Sequence, residues 1–144
     1  MYPRSIQVLL VEDSPSDIWL IREALRLAQI PVELTIMRDG AQASRYLKQA
    51  CAGETRSADL VLLDLNLPGK NGTEVLAEIK SVPGLRMTPV IVLSSSDDEE
   101  DRRKAYELNA SCFLTKPDSL PAYVEMVREI ANIWVSGLEL GRTA

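Results

Sequence analysis

The chain has 144 residues, 46% hydrophobic and 26% charged, with a formal net charge of −5. That length suits one domain able to bury a core without disulfides, and the acidic balance argues against nucleic acid or an anionic membrane as a general partner. Histidine is absent, which removes His-based metal sites, Ser-His and Cys-His nucleophile pairs, and any role as a phosphohistidine donor.

Residues 1–5 lack the basic-then-apolar plan of a secretory leader. No apolar stretch nears the roughly 20 residues of a membrane span. A cytoplasmic protein is expected. Residues 6–12 read as a first strand around the apolar run Val8-Leu9-Leu10-Val11. Ser14-Pro15-Ser16-Asp17 then opens a helix, with a cap residue before Pro and an acid three positions after the cap. Its apolar stripe is Ile21, Ala24, Leu25 and Ala28.

Val32–Met37 is the second strand, and Ala43, Tyr46, Leu47 and Ala50 mark the next helix. A polar loop at 52–57 leads to the third strand, Leu60–Asp64, with the apolar run Leu60-Val61-Leu62-Leu63. Asn71-Gly72-Thr73-Glu74 starts a helix. Residues 89–94 form a fourth strand, and Ser96-Asp97-Asp98-Glu99 has capping-box spacing with Ser96 as the cap. Cys112–Thr115 is the fifth strand. Val127, Ile130, Ala131 and Trp134 stripe the last helix, and residues 137–144 are a tail. Cys51 and Cys112 are too few and too far apart for a zinc motif and read as reduced thiols. Trp19 and Trp134 read as packing residues.

Strands written as continuous apolar runs are buried on both faces, as in parallel sheets. Five β/α units in series imply an α/β three-layer sandwich with right-handed crossovers. In such sheets ligands bind outside the carboxyl ends of the strands. There the sequence places Glu12-Asp13, Asp64, Ser94 and Lys116-Pro117. Clustered carboxylates repel one another. A hard dication such as Mg²⁺, which takes oxygen ligands and sits beside phosphates, removes the conflict. With Lys116 as a second positive charge and Ser94 as a hydrogen-bond donor, the set suits phosphoryl transfer, which needs positioning and charge neutralisation. Ser94 is preferred over Ser95 and Ser96 because it directly follows the apolar strand.

Glu12-Asp13, Asp64-x-Asn66-x-Pro68, Ser94 and Lys116-Pro117 together resemble the signature of CheY-like response-regulator receiver domains, over about residues 5–136. The resemblance implies a doubly wound, five-stranded parallel sheet of order 2-1-3-4-5. It makes Asp64 the phosphoacceptor. Mg²⁺, or Mn²⁺ in its place, is then held by Asp13, Asp64 and the Asn66 backbone carbonyl, with Glu12 acting through water. Lys116 and Ser94 contact the phosphoryl group, Ser94 and Phe113 form the switch, and Asn66 and Ser96 tune the phosphoryl lifetime. A cis Lys116-Pro117 bond is expected on the same ground.

The resemblance also implies a signalling phosphoacceptor rather than an enzyme, one that assists its own phosphorylation and autodephosphorylation. Finer wording, Glu12-Asp13-Ser14-Pro15-Ser16-Asp17 and Asp64-Leu65-Asn66-Leu67-Pro68-Gly69, resembles small stand-alone receivers paired with phytochrome-type sensor histidine kinases. The expectation is a single receiver domain, 1–144, with no output domain. It would form a homodimer through its last helix and tail, where Tyr123, Val124, Met126, Ile133 and Val135 add apolar residues beyond the core stripe.

Three other readings are weaker. A flavodoxin-like redox protein needs a phosphate-welcoming first loop, and Glu12-Asp13 repels phosphate. A pseudo-receiver module would have lost the acids that are present here. An Asp-x-Asp phosphatase needs an acid where Asn66 stands. Gly69-Lys70 does not complete a P-loop, because that motif's first glycine would fall on Asp64.

Overall fold

Strands and helices alternate along the chain: β1 (Ile6–Val11), α1 (Pro15–Leu27), β2 (Val32–Met37), α2 (Gly40–Cys51), β3 (Leu60–Asp64), α3 (Gly72–Ser81), β4 (Val90–Ser94), α4 (Glu99–Glu107), β5 (Cys112–Thr115) and α5 (Leu120–Thr143). These come from a computed structural model that describes the backbone of residues 5–53 and 58–143, and side chains within those spans up to residue 134. Residues 54–57 of the expected polar loop lie outside the described residues.

All strand pairs are parallel and the sheet order is β2-β1-β3-β4-β5. Successive side chains on a strand point to opposite faces. Val8, Leu10, Leu62, Ile91 and Leu93 therefore meet α1 and α5 on one side. Leu9, Val11, Val61, Leu63, Val90 and Val92 meet α2, α3 and α4 on the other. Every residue of β3 and β4 is buried, which is why those segments are unbroken apolar runs. Each such side chain contributes about 1.5–3 kcal/mol by leaving water. The edge strand β2 is mostly half-buried and its sequence is correspondingly mixed.

The strand bounds expected from sequence shift by one residue at two places. Glu12 leaves β1, although its N–H still donates to the Met37 carbonyl at 3.0 Å. Pro89 lacks an N–H and contributes only its carbonyl, which accepts from Val61 N at 3.0 Å, so β4 starts at Val90.

Ser14 and Asn71 cap α1 and α3 as expected, accepting from Asp17 N at 3.3 Å and Glu74 N at 3.0 Å. The start of α4 differs. Asp98 is its cap and accepts from Glu100 N at 3.0 Å. Ser96 Oγ instead accepts from Asp98 N at 3.1 Å, shaping the turn before the helix. A carboxylate is the stronger acceptor at the positive end of a helix.

Three readings of apolar residues change. Trp19 is 56% exposed, because it lies about 100° around α1 from the buried Ile18. Tyr123 and Met126, counted as surplus on the last helix, are core residues at 1% and 6% exposure. Helix α5 runs on through Gly137 to Thr143, where a tail was expected; side chains from Val135 onward lie outside the described residues. Cys51 is exposed and Cys112 half-buried, and both are free thiols. Among the described residues no helix is long and apolar enough to cross a membrane.

Candidate functional site

The carboxyl ends of β1, β3, β4 and β5 bring the expected residues to one edge of the sheet. Glu12, Asp64 and Ser94 are buried, at 0%, 3% and 0% exposure, whereas Asp13 is exposed. Carboxylate oxygens of Glu12, Asp13 and Asp64 all lie within 4.8 Å of one another. Lys116 reaches into this group from the turn after β5. Its Nζ is 2.8 Å from Glu12 Oε2, 2.9 Å from Asp17 Oδ2 and 3.2 Å from Asp64 Oδ2.

Local backbone contacts hold the acids in place. Asn66 N donates to Asp64 Oδ1 at 3.0 Å, and Ser14 N donates to Glu12 Oε1 at 3.1 Å. Ser94 Oγ accepts from Ser96 N at 3.1 Å. Asn66 itself is exposed and Ser96 half-buried, so both side chains stand at the rim. The turn after Pro68 needs Gly69, whose φ is +69°.

Among the described residues no peptide bond is cis, so Lys116-Pro117 is trans, contrary to expectation. The trans form is intrinsically favoured before proline, and it already lets Lys116 reach three carboxylates. No cis bond is required for that contact.

Burial raises the Glu12 carboxyl to about 7, with the Lys116 contact opposing the rise and the Asp64 charge adding to it. Burial alone would lower the Lys116 ammonium. Close contacts with the Glu12 and Asp17 carboxylates, with the charge of Asp64, outweigh it and hold Lys116 above the usual lysine range. The ammonium therefore stays charged, while the buried acid lacks part of the compensation it needs.

The donor set fits Mg²⁺ or Mn²⁺. It is all oxygen, as hard cations prefer. Glu12 Oε2 is shielded from solvent and makes only an ionic contact to Lys116, outside hydrogen-bond geometry, so its lone pairs are free for a metal-bound water. Added positive charge would also remove the burden seen at Glu12.

Phe113 is 2% exposed in the core beside β4. Arg102 of α4 covers its ring, 4.8 Å from the centroid, and the Tyr106 hydroxyl accepts from its backbone N–H at 3.2 Å. Two site neighbours were not read from the sequence. Asp17 was taken as the acid of a helix start, yet its side chain pairs with Lys116. Tyr123 was taken as surface, yet its hydroxyl is buried close to Asp17.

This constellation on a 2-1-3-4-5 parallel sheet defines a receiver. Residues 8–128 match the family described as response regulator receiver domain, and the chain belongs to it. Over 136 residues it is 45% identical to response regulator Rcp1 of Synechocystis sp. (strain ATCC 27184 / PCC 6803 / Kazusa), covering 92% of this chain and 91% of that protein. The fold superposes on the phosphorylated cyanobacterial phytochrome response regulator RcpA with a TM-score of 0.84, at 44% identity, covering 92% of this chain and 96% of RcpA. It is also similar to the Mn²⁺-bound form of Rcp1, with a TM-score of 0.80 at 45% identity, over 90% and 94% of the two chains.

Proposed function

We propose that this chain is the phosphoacceptor of a two-component relay, taking a phosphoryl group from a phosphohistidine on a sensor histidine kinase onto Asp64. The observation that carries this reading is the burial of Asp64 at the end of a central strand, between the Glu12-Asp13 pair and Lys116. An Asp64 carboxylate oxygen forms the new O–P bond as the donor's N–P bond breaks. The electron pair of that bond leaves with the imidazole, which takes up a proton. Lys116 and Ser94 hold phosphoryl oxygens. Asp13, Asp64 and the Asn66 carbonyl would hold Mg²⁺, with Glu12 acting through water, and the bound ion would supply charge neutralisation for the acids and phosphoryl group. Asn66 and Ser96, at the rim, set how fast water reaches the acyl phosphate and so its lifetime.

The chain is on this account a signalling receiver of the cytoplasm, with its core over about 5–136. The phytochrome response regulators among its structural relatives support a phytochrome-type kinase as the donor. Incubation with a small phosphodonor and Mg²⁺ should add one phosphoryl mass. Excess chelator should abolish both the uptake and the subsequent loss of the group. Undiminished uptake in chelator would contradict the metal's role.

Phosphorylation is proposed to draw Ser94 toward the phosphoryl group, away from Ser96 N, and to reorient Phe113 in the space released. A ligand shifts such an equilibrium only through differential contacts, and the new Ser94 bond is one. The Arg102 cap and Tyr106 bond favour the buried ring in the present state. Crystal structures with and without beryllofluoride check this. The expected result is a moved Ser94 hydroxyl and a changed Phe113 rotamer; identical positions would refute it.

The dimer proposal also stands, on narrower support than the sequence offered. Ile133 remains 50% exposed on α5, and the helix continues nine residues past the buried Trp134, to Thr143. A second copy would cover this end. Light scattering should give a dimer for the full chain and a monomer for a form ending at Ser136. Monomers in both, with and without beryllofluoride, would refute it.

A further inference from the structure

Lys116 makes one contact that phosphoryl chemistry does not itself require. Its Nζ is nearer to Asp17, at 2.9 Å, than to Asp64, at 3.2 Å. Asp17 lies in the first turn of α1. Its backbone N–H serves the Ser14 cap, but its side chain turns to a lysine 99 residues away. Beside it stands Tyr123 of α5. That residue is 1% exposed, and its hydroxyl is shielded from solvent without a partner in hydrogen-bond geometry. An unsatisfied buried hydroxyl is unfavourable, so its place against charged groups calls for a reason. Burial pushes the phenol up to about 12, and the neighbouring Asp17 carboxylate adds to the rise.

We infer that Asp17, backed by the Tyr123 hydroxyl, is a positioning residue that anchors the Lys116 ammonium for the phosphoryl group. The inference rests on Asp64 being the phosphoacceptor. An ammonium has three donors, and here they face Glu12, Asp17 and Asp64. When a phosphoryl group sits on Asp64, the donor aimed at Asp64 finds a phosphoryl oxygen instead. The contacts to Glu12 and Asp17 keep the ammonium where it is needed. Such preorganised charge does not have to be rearranged during the reaction. The Tyr123 hydroxyl, buried beside Asp17 and not yet bonded, would turn to donate to that carboxylate and fix it against α5.

The anchor role and a simple charge role predict opposite signs. As a bare negative charge, Asp17 would repel a phosphoryl anion, and removing it would tighten binding. As an anchor for Lys116, its removal loosens binding.

The test is beryllofluoride affinity of the full chain with Mg²⁺, by titration calorimetry, for Asp17→Asn and Tyr123→Phe. Each is made in the native background and in Lys116→Ala, with folding checked by circular dichroism. Asp17→Asn should weaken binding about 10-fold in the native background, the loss expected for one charge-assisted hydrogen bond. Tyr123→Phe, which keeps the packing, should weaken it about 2-fold to 3-fold, a fraction of a neutral hydrogen bond. In Lys116→Ala, Asp17→Asn should leave affinity unchanged or tighten it. Unchanged or tighter binding by Asp17→Asn in the native background would overturn the inference, as would equal weakening in both backgrounds. Failure of the native chain to bind beryllofluoride at all would instead overturn the phosphoacceptor reading, and this one with it.

Discussion

Asp64→Asn should abolish phosphoryl uptake while leaving the fold intact. The amide has nearly the shape of the carboxylate, and its oxygen can still accept the Asn66 N–H now bonded to Asp64 Oδ1. It cannot form an acyl phosphate. One member of the cluster with Glu12 and Asp13 loses its charge, which relieves like-charge repulsion, while Lys116 loses one of its three carboxylate partners. These effects oppose each other, so stability should stay within about 1 kcal/mol of the native chain. Mass measurement after incubation with a small phosphodonor and Mg²⁺ checks the first part, and urea unfolding the second. One added phosphoryl mass on the variant would remove Asp64 from its assigned role.

Gly72→Ala should destabilise the chain and disturb the site. Gly72 begins α3, with its Cα packed against the backbone of Asp64 and Leu65. A Cβ there would overlap the Asp64 carbonyl oxygen and lie 2.6 Å from the Leu65 Cα. Both neighbours are backbone and cannot swing aside. Gly72 N also donates to the Leu65 carbonyl at 3.1 Å, which ties the helix start to the turn after β3. Overpacking of this kind costs about 1–3 kcal/mol. The helix preference of Ala over Gly, up to about 1 kcal/mol, offsets only part of that. The turn should shift, Asp64 with it, and phosphoryl uptake should slow. Urea unfolding at matched slopes measures the loss. A variant as stable as the native chain would show that the close approach is relieved at no cost.

The central architecture was readable because burial on two faces leaves no room for polar residues. Val8-Leu9-Leu10-Val11, Leu60-Val61-Leu62-Leu63 and Val90-Ile91-Val92-Leu93 are all buried, and a parallel sheet is the structure that demands such runs. The Glu12, Asp13 and Asp64 cluster was readable for the same reason. The strands end there, and topology brings the ends together. Asp17 and Tyr123 were not readable, because their roles depend on the packing of α1 against α5. A first-turn acid usually serves its own helix, and an aromatic beside the stripe usually faces solvent. Here the pairing of Asp17 with Lys116 spans 99 residues. Trp19 shows the converse: a large apolar residue whose helical angle, not its type, leaves it exposed. The cap of α4 moved from Ser96 to Asp98 because several adjacent side chains could serve, and sequence spacing alone does not rank them.

The most direct test of the account locates the phosphoryl group. The native chain is phosphorylated with a small phosphodonor and Mg²⁺, reduced with borohydride, digested and sequenced by mass spectrometry. Borohydride converts an aspartyl phosphate to homoserine and leaves unmodified aspartate alone. The account predicts homoserine at position 64 and nowhere else, in an amount that falls to background when Mg²⁺ is chelated. Conversion at Asp13, Asp17 or any other acid with position 64 intact, or no conversion at all under conditions that phosphorylate an established receiver, would contradict it.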